Sequence, residues 1–219
     1  MISNILDDID AVIFDMDGSL VDSMWIWKQV DIDYFSSNGL TLPDDLQSKI
    51  EGKSFYQTAV YFKETFGFTD SVEEMMDKWN LMAHQKYAEE VSFKTGVVDL
   101  LNTCVKRNIK LGIATSNSRY LYDAVAKHLK LDEYFDTVLT GSEVLNGKPA
   151  PDVYLSAAQK LKVDPARCLV FEDITKGIEA AHNAGMKVCA VDDVYSLHQR
   201  EDKKNMADYF IHDYTELEL

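Results

Sequence analysis

The chain has 219 residues, enough for one domain or two small ones, and its 46% hydrophobic content is sufficient for a substantial core. Its formal net charge of -15 argues against nucleic acid or an anionic membrane surface as partner, because both need a basic face. Three cysteines, Cys104, Cys168 and Cys189, lie far apart inside apolar stretches, which suits reduced core thiols better than a disulfide framework or a metal cluster.

The N-terminus, Met-Ile-Ser-Asn-Ile-Leu-Asp-Asp, shows no basic region, and no apolar run reaches the ~18 residues of a membrane span, so a cytoplasmic location is expected. Residues 11–18 read Ala-Val-Ile-Phe-Asp-Met-Asp-Gly. An unbroken apolar run of this kind marks a parallel strand buried on both faces, and ligands of open α/β sheets bind beyond the carboxyl ends of such strands. Asp15 and Asp17 therefore belong in a crevice. Alternate residues of an extended chain share a face, so the two carboxylates repel unless something positive offsets them.

Residues 22–92 exceed what a crossover between parallel strands requires, roughly a dozen residues. Apolar stripes at Trp27, Val30 and Tyr34, at Phe55, Ala59, Phe62 and Phe66, and at Met75, Trp79 and Met82 predict helices throughout. This segment reads as an inserted helical cap over a core formed by residues 1–21 and 93–219, with hinges near Ser19–Ser23 and Ser92–Gly96.

Beyond it, helices and strands alternate. Val97, Leu100, Leu101 and Cys104 mark a helix, Lys110 to Ser116 a buried strand, and Leu121, Val125 and Leu129 a second helix. Further strands are expected at Phe135 to Thr140, Cys168 to Asp173, Lys187 to Val191 and Tyr209 to His212, with helices near 151–161 and 174–184, the latter stopped by Gly185. The predicted architecture is α/β, a doubly wound, Rossmann-like parallel sheet with an inserted α-helical cap.

A parallel sheet gathers its strand ends at one edge: Asp15, Met16, Asp17, Gly18; then Ala114, Thr115, Ser116, Asn117; then Phe171, Glu172, Asp173; with the loop Asn146-Gly147-Lys148-Pro149-Ala150-Pro151-Asp152 between them. Four carboxylates, a hydroxyl and an ammonium without a His or Cys cluster favour a hard cation with oxygen ligands, Mg²⁺ rather than Zn²⁺. The cation, Lys148 and backbone N–H groups would attract a phosphoryl group. Taken singly, a strand-end carboxylate suits a turn or helix cap, Thr115 a loop hydrogen bond, and Lys148 a solvated surface.

The ordered set Asp-Met-Asp-Gly, Thr115, Gly-Lys-Pro-Ala-Pro-Asp and Phe-Glu-Asp, spanning residues 15–173, resembles the haloacid dehalogenase superfamily. It is most similar to the capped branch containing β-phosphoglucomutase and sugar-phosphate phosphatases. The resemblance implies Asp15 as nucleophile through an aspartyl phosphate, and Asp17 as general acid and base. It implies Thr115 and Lys148 as phosphate holders. Mg²⁺ would be held by Asp15, Asp173 and the Asp17 carbonyl, with Glu172 supporting or joining the set. Ser116 and Asn117 fit either phosphate contacts or local turn bonding.

Dehalogenation does not fit, because that chemistry lacks the second carboxylate. In the mutase, the resemblance calls for a cap histidine and a cap-loop arginine at stations that here fall on Trp27 and Phe55, which favours hydrolysis. Lys53 and Trp27 are candidates for contacting substrate from the cap. A receiver-type phosphoacceptor domain, the reading from another class, needs neither the second carboxylate nor a cap, and a catalytically dead binding protein conflicts with the four complete motifs. A monomer or weak homodimer acting on a small phosphorylated metabolite is expected, a sugar phosphate first, with nucleotide monophosphates and phosphoglycolate open.

Overall fold

The computed structural model describes residues 2–50 and 55–219. Six strands form one parallel sheet: β1 (Ala11–Phe14), β4 (Lys110–Ala114), β5 (Thr137–Leu139), β6 (Cys168–Glu172), β7 (Lys187–Val191) and β8 (Tyr209–Ile211). Their spatial order is β5-β4-β1-β6-β7-β8. The chain runs outward from β1 on both sides, so the winding reverses at β1, and the crevice for a ligand opens at its carboxyl end.

The alternation of side chains across each strand builds two separate apolar layers. Val12 and Phe14 of β1, Leu111 and Ile113 of β4, and Leu169 and Phe171 of β6 face one layer; Ala11, Ile13, Ala114, Cys168 and Val170 face the other. Helices α5 (Val97–Lys106) and α6 (Arg119–Leu129) cover the first, and α7 (Asp152–Leu161) and α8 (Thr175–Asn183) cover the second. Phe14 stacks on Phe171 with centroids 5.1 Å apart and planes 12° apart, locking the two central strands beneath the site. All three cysteines are buried and unpaired, as their apolar surroundings led us to expect. Gly185, at φ +78°, turns the chain out of α8 as expected of a C-terminal glycine.

Between β1 and α5 the chain forms α1 (Trp25–Ser37), α2 (Leu46–Ile50), α3 (Phe55–Phe66) and α4 (Val72–Glu89). The helical stripes differ in detail from those read in the sequence. In α4 the buried line is Met75, Trp79, Ala83 and Tyr87, with Met82 only partly buried, and in α1 it is Ile26, Val30 and Tyr34, with Trp27 half out. A capping box between Ser71 and Glu74 starts α4. The periodicity did not reveal β2 (Val21–Asp22) and β3 (Ser92–Phe93), two residues each, which pair antiparallel where the helical segment leaves and rejoins the sheet. Nor did it reveal α9 (Arg200–Met206), a polar helix without an apolar stripe.

Candidate active site

The strand ends converge as the topology requires. Asp15, Asp17, Thr115, Ser116, Asn117, Lys148 and Asp173 line one cavity of about 180 Å³, together with the apolar side chains of Met24 and Ile174. Thr115 follows β4, Asp173 follows β6, and Lys148 arrives on the loop before α7.

Lys148 is the electrostatic centre. Its ammonium donates to Asp15 Oδ1 at 2.5 Å and to Glu172 Oε1 at 2.6 Å, and it lies 5.0 Å from the Tyr154 ring centroid. Burial pulls the Lys148 ammonium down, but the Asp15 and Glu172 carboxylates override it, so the group is held charged well above its usual range. The Asp15 carboxyl is pushed up to about 7, first by burial and then by the Glu172 and Asp17 charges, against the pull of Lys148.

Glu172 is fully buried and fully used. Oε1 accepts from Lys148 and from the Tyr154 hydroxyl at 2.9 Å; Oε2 accepts from the backbone N–H of Asp173 at 2.9 Å and of Ile174 at 3.2 Å. Its carboxylate lies within reach of the same point as those of Asp15 and Asp173, yet its oxygens already carry four donors, so it supports Lys148 and the start of α8. Gly177 makes this possible, since a Cβ there would lie 1.7 Å from Glu172 Oε1.

Asp173 is the opposite case. Oδ1 accepts from Ser19 Oγ at 3.3 Å, while Oδ2 is buried with no partner. Burial, then the charges of Glu172 and Asp15, push the Asp173 carboxyl well above the ordinary carboxylate range. Gly18, at φ +81°, leaves the space beside it open, where a Cβ would approach Oδ2 to 2.4 Å. An orphaned buried carboxylate oxygen, a second carboxylate at Asp15 and a cradle kept clear by glycine fit a hard divalent cation.

Asp17 is anchored differently. Ser23 Oγ and the Tyr87 hydroxyl donate to Oδ1 at 2.6 and 2.5 Å, and Asn117 Nδ2 donates to Oδ2 at 3.1 Å. With its side chain so engaged, the backbone carbonyl is the part of Asp17 left to meet a cation. Thr115 Oγ1 accepts from Asn117 N at 3.0 Å, leaving its hydroxyl proton available to an incoming phosphoryl oxygen.

Of the two cap candidates, Trp27 is not brought to the cavity. Trp27 packs edge-on against Phe55 at 5.5 Å inside the helical segment, where its apolar ring is better buried than beside a carboxylate cluster. Lys53 lies outside the described residues. The sequence reading missed Tyr87, Ser23, Tyr154 and Ser19. Tyr154 was findable as a polar-tipped residue on the inner face of α7; Tyr87, from a remote helix, carried no local signal.

Residues 12–191 match the family model of haloacid dehalogenase-like hydrolases. The phosphorylated carbohydrates phosphatase of Thermotoga maritima is 32% identical over 179 residues, covering 82% of this chain and 83% of that one. The (DL)-glycerol-3-phosphatase 2 of Arabidopsis thaliana is 33% identical over 193 residues, covering 84% and 80%. A solved Thermotoga maritima structure, provisionally assigned as a beta-phosphoglucomutase, superposes with a TM-score of 0.81 at 29% identity over 93% of this chain and 94% of that one. The family match spans five of the six sheet strands, the helical insertion and every strand end that lines the cavity: the chain belongs to the haloacid dehalogenase-like hydrolase family.

Proposed function

We propose that the protein is a Mg²⁺-dependent phosphatase that hydrolyses a small phosphorylated metabolite, a sugar phosphate first, through an aspartyl phosphate on Asp15. The observation that carries this reading is the division of labour among the buried carboxylates. Asp15 is tied to Lys148, Glu172 holds Lys148, Asp173 keeps an oxygen unpartnered, and Asp17 stands apart among hydroxyl and amide donors. A general acid is separated in this way from a nucleophile beside it.

In the first half-reaction an Asp15 oxygen attacks phosphorus, the ester P–O bond breaks, and the Asp17 carboxyl gives its proton to the departing oxygen. In the second, the Asp17 carboxylate takes a proton from water, the water oxygen attacks phosphorus, and the P–O bond to Asp15 breaks, releasing phosphate. Lys148 and Thr115 bind the phosphoryl oxygens and steady charge that develops there. Asp15, Asp173 and the Asp17 carbonyl would hold Mg²⁺, which supplies neutralisation of phosphoryl charge when bound. Met24 and Ile174 add apolar lining beside these groups.

Hydrolysis is preferred to mutase chemistry because Trp27 and Phe55 are packed together and offer no imidazole or guanidinium. We further propose residues 22–92 as the cap and residues 1–21 and 93–219 as the core, with selectivity residing in the cap. The test is rapid-quench labelling. Asp15→Asn should give no phosphoenzyme. Asp17→Asn loses the base for the second step, a contribution of ~10²–10⁴-fold, and should accumulate label on Asp15 from acetyl phosphate, whose leaving group needs little protonation. Label on another residue, or equal loss in both variants, would overturn the assignment.

A further inference from the structure

The donors around Asp17 come from three parts of the chain: Ser23 after β2, Asn117 after β4, and Tyr87 from the far end of helix α4. Tyr87 is 1% exposed and ends the buried stripe of α4. A buried tyrosine hydroxyl is satisfied by one partner. This one has two, donating to Asp17 Oδ1 at 2.5 Å and accepting from Asn117 Nδ2 at 3.1 Å, and both partners line the catalytic cavity. The bonds run in one direction, from the core amide through the cap hydroxyl to the carboxylate. Helix α4 also lies along the core helix α6, with His84 stacked on Tyr120 at 4.3 Å.

Resting on the acid/base reading of Asp17, we propose that Tyr87 is a positioning residue that orients the Asp17 carboxyl for proton transfer and ties that orientation to the seating of α4 on the core. The hydroxyl has no part in bond making. Its loss frees the carboxylate to rotate, so the proton reaches the departing oxygen less often. The penalty therefore grows with how much the leaving group needs that proton: large for an alkyl phosphoester, small for acetyl phosphate.

The test compares Tyr87→Phe, which keeps the ring, with Tyr34→Phe, which removes a buried cap hydroxyl bonded at 2.8 Å to Asp70. With glycerol 3-phosphate as alkyl probe, Tyr87→Phe should lower kcat by about tenfold or more, a fraction of a general acid's usual contribution. Phosphoenzyme formation from acetyl phosphate should change by less than about threefold. Tyr34→Phe should lower Tm and leave the ratio between the two substrates where it was. Equal losses on both substrates, or a Tyr34→Phe profile matching that of Tyr87→Phe, would overturn the proposal. Melting of Tyr87→Phe, Asp17→Ala and the double variant reads the contact without turnover: non-additive Tm changes are expected, and additive ones remove the tether. A wild-type protein that hydrolyses neither ester, with the melting cycle still non-additive, would instead remove the acid/base reading and the positioning role with it.

Discussion

At Asp15, burial and a lysine act in opposite directions and burial prevails, leaving the carboxyl at about 7 against 3.8 in the open chain. The native state thus binds more protons than the unfolded chain between these values, and the contribution of Asp15 to stability falls as pH rises from about 4 to about 7. The full cost, on the order of a few kcal/mol, is present above that window. Asp15→Asn should therefore melt higher than wild type in chelator at pH 8, with the gap closing by pH 5. Thermal melts at the two pH values check this. A similar conflict is arranged at Gly177. Ala normally stabilises a helix interior by ~1 kcal/mol over Gly, yet here its methyl would meet the Glu172 carboxylate. Gly177→Ala should lower Tm, at a cost of about 1–3 kcal/mol, and by displacing Lys148 should lower kcat/KM on the order of 10²-fold.

At the scale of elements, the strands and the core helices were legible because one physical cause dominates each of them. β1, β6 and β7 are buried on both faces and read as unbroken apolar runs, and α5 shows its full buried stripe of Val97, Leu100, Leu101 and Cys104. Asp15, Asp17, Thr115, Lys148 and Asp173 were legible because sheet topology, rather than side-chain packing, delivers them to one edge. What escaped depends on distant pairing. β2 and β3 exist only because each is the other's partner, and Tyr87 reaches Asp17 across 70 positions of sequence through a helix whose crossing angle no local pattern encodes. The loop holding Ser196 is another such case: its hydroxyl donates to the Asp173 carbonyl at 2.9 Å and accepts from the buried Lys203 ammonium at 2.9 Å. Ser196→Ala should leave α9 intact, raise the Mg²⁺ concentration needed for half-maximal stabilisation, and cost about 1 kcal/mol in metal-free melts.

For the whole molecule, a net charge of -15 concentrates part of its self-repulsion at one sheet edge, where Asp15, Glu172 and Asp173 lie together with Lys148 as the nearby cation. Binding of Mg²⁺ to the native state alone should raise Tm by about 5–10 °C at roughly one hundred times its dissociation constant, from ~2.7 kcal/mol of linkage and ~2–4 °C per kcal/mol. The shift should be larger at pH 8 than at pH 5, where Asp15 holds its proton. Asp173→Asn should abolish most of it. Titration calorimetry at the two pH values, following both heat and released protons, gives the independent check.

The pairing of Val21 with Phe93 and of Asp22 with Ser92 has a wider consequence. An antiparallel pair closed by a connection is a hairpin, so residues 23–91 leave and rejoin the sheet as the loop of that hairpin, while α4 also lies along α6 and Tyr87 reaches Asp17 and Asn117. Because closure entropy grows with the logarithm of loop length, the stretches of that loop between its helices can lengthen or shorten at little cost to the sheet that carries the carboxylates. Changes of length there leave the carboxylates where the strand ends put them, whereas α4 stays fastened to the site through the Tyr87 hydroxyl.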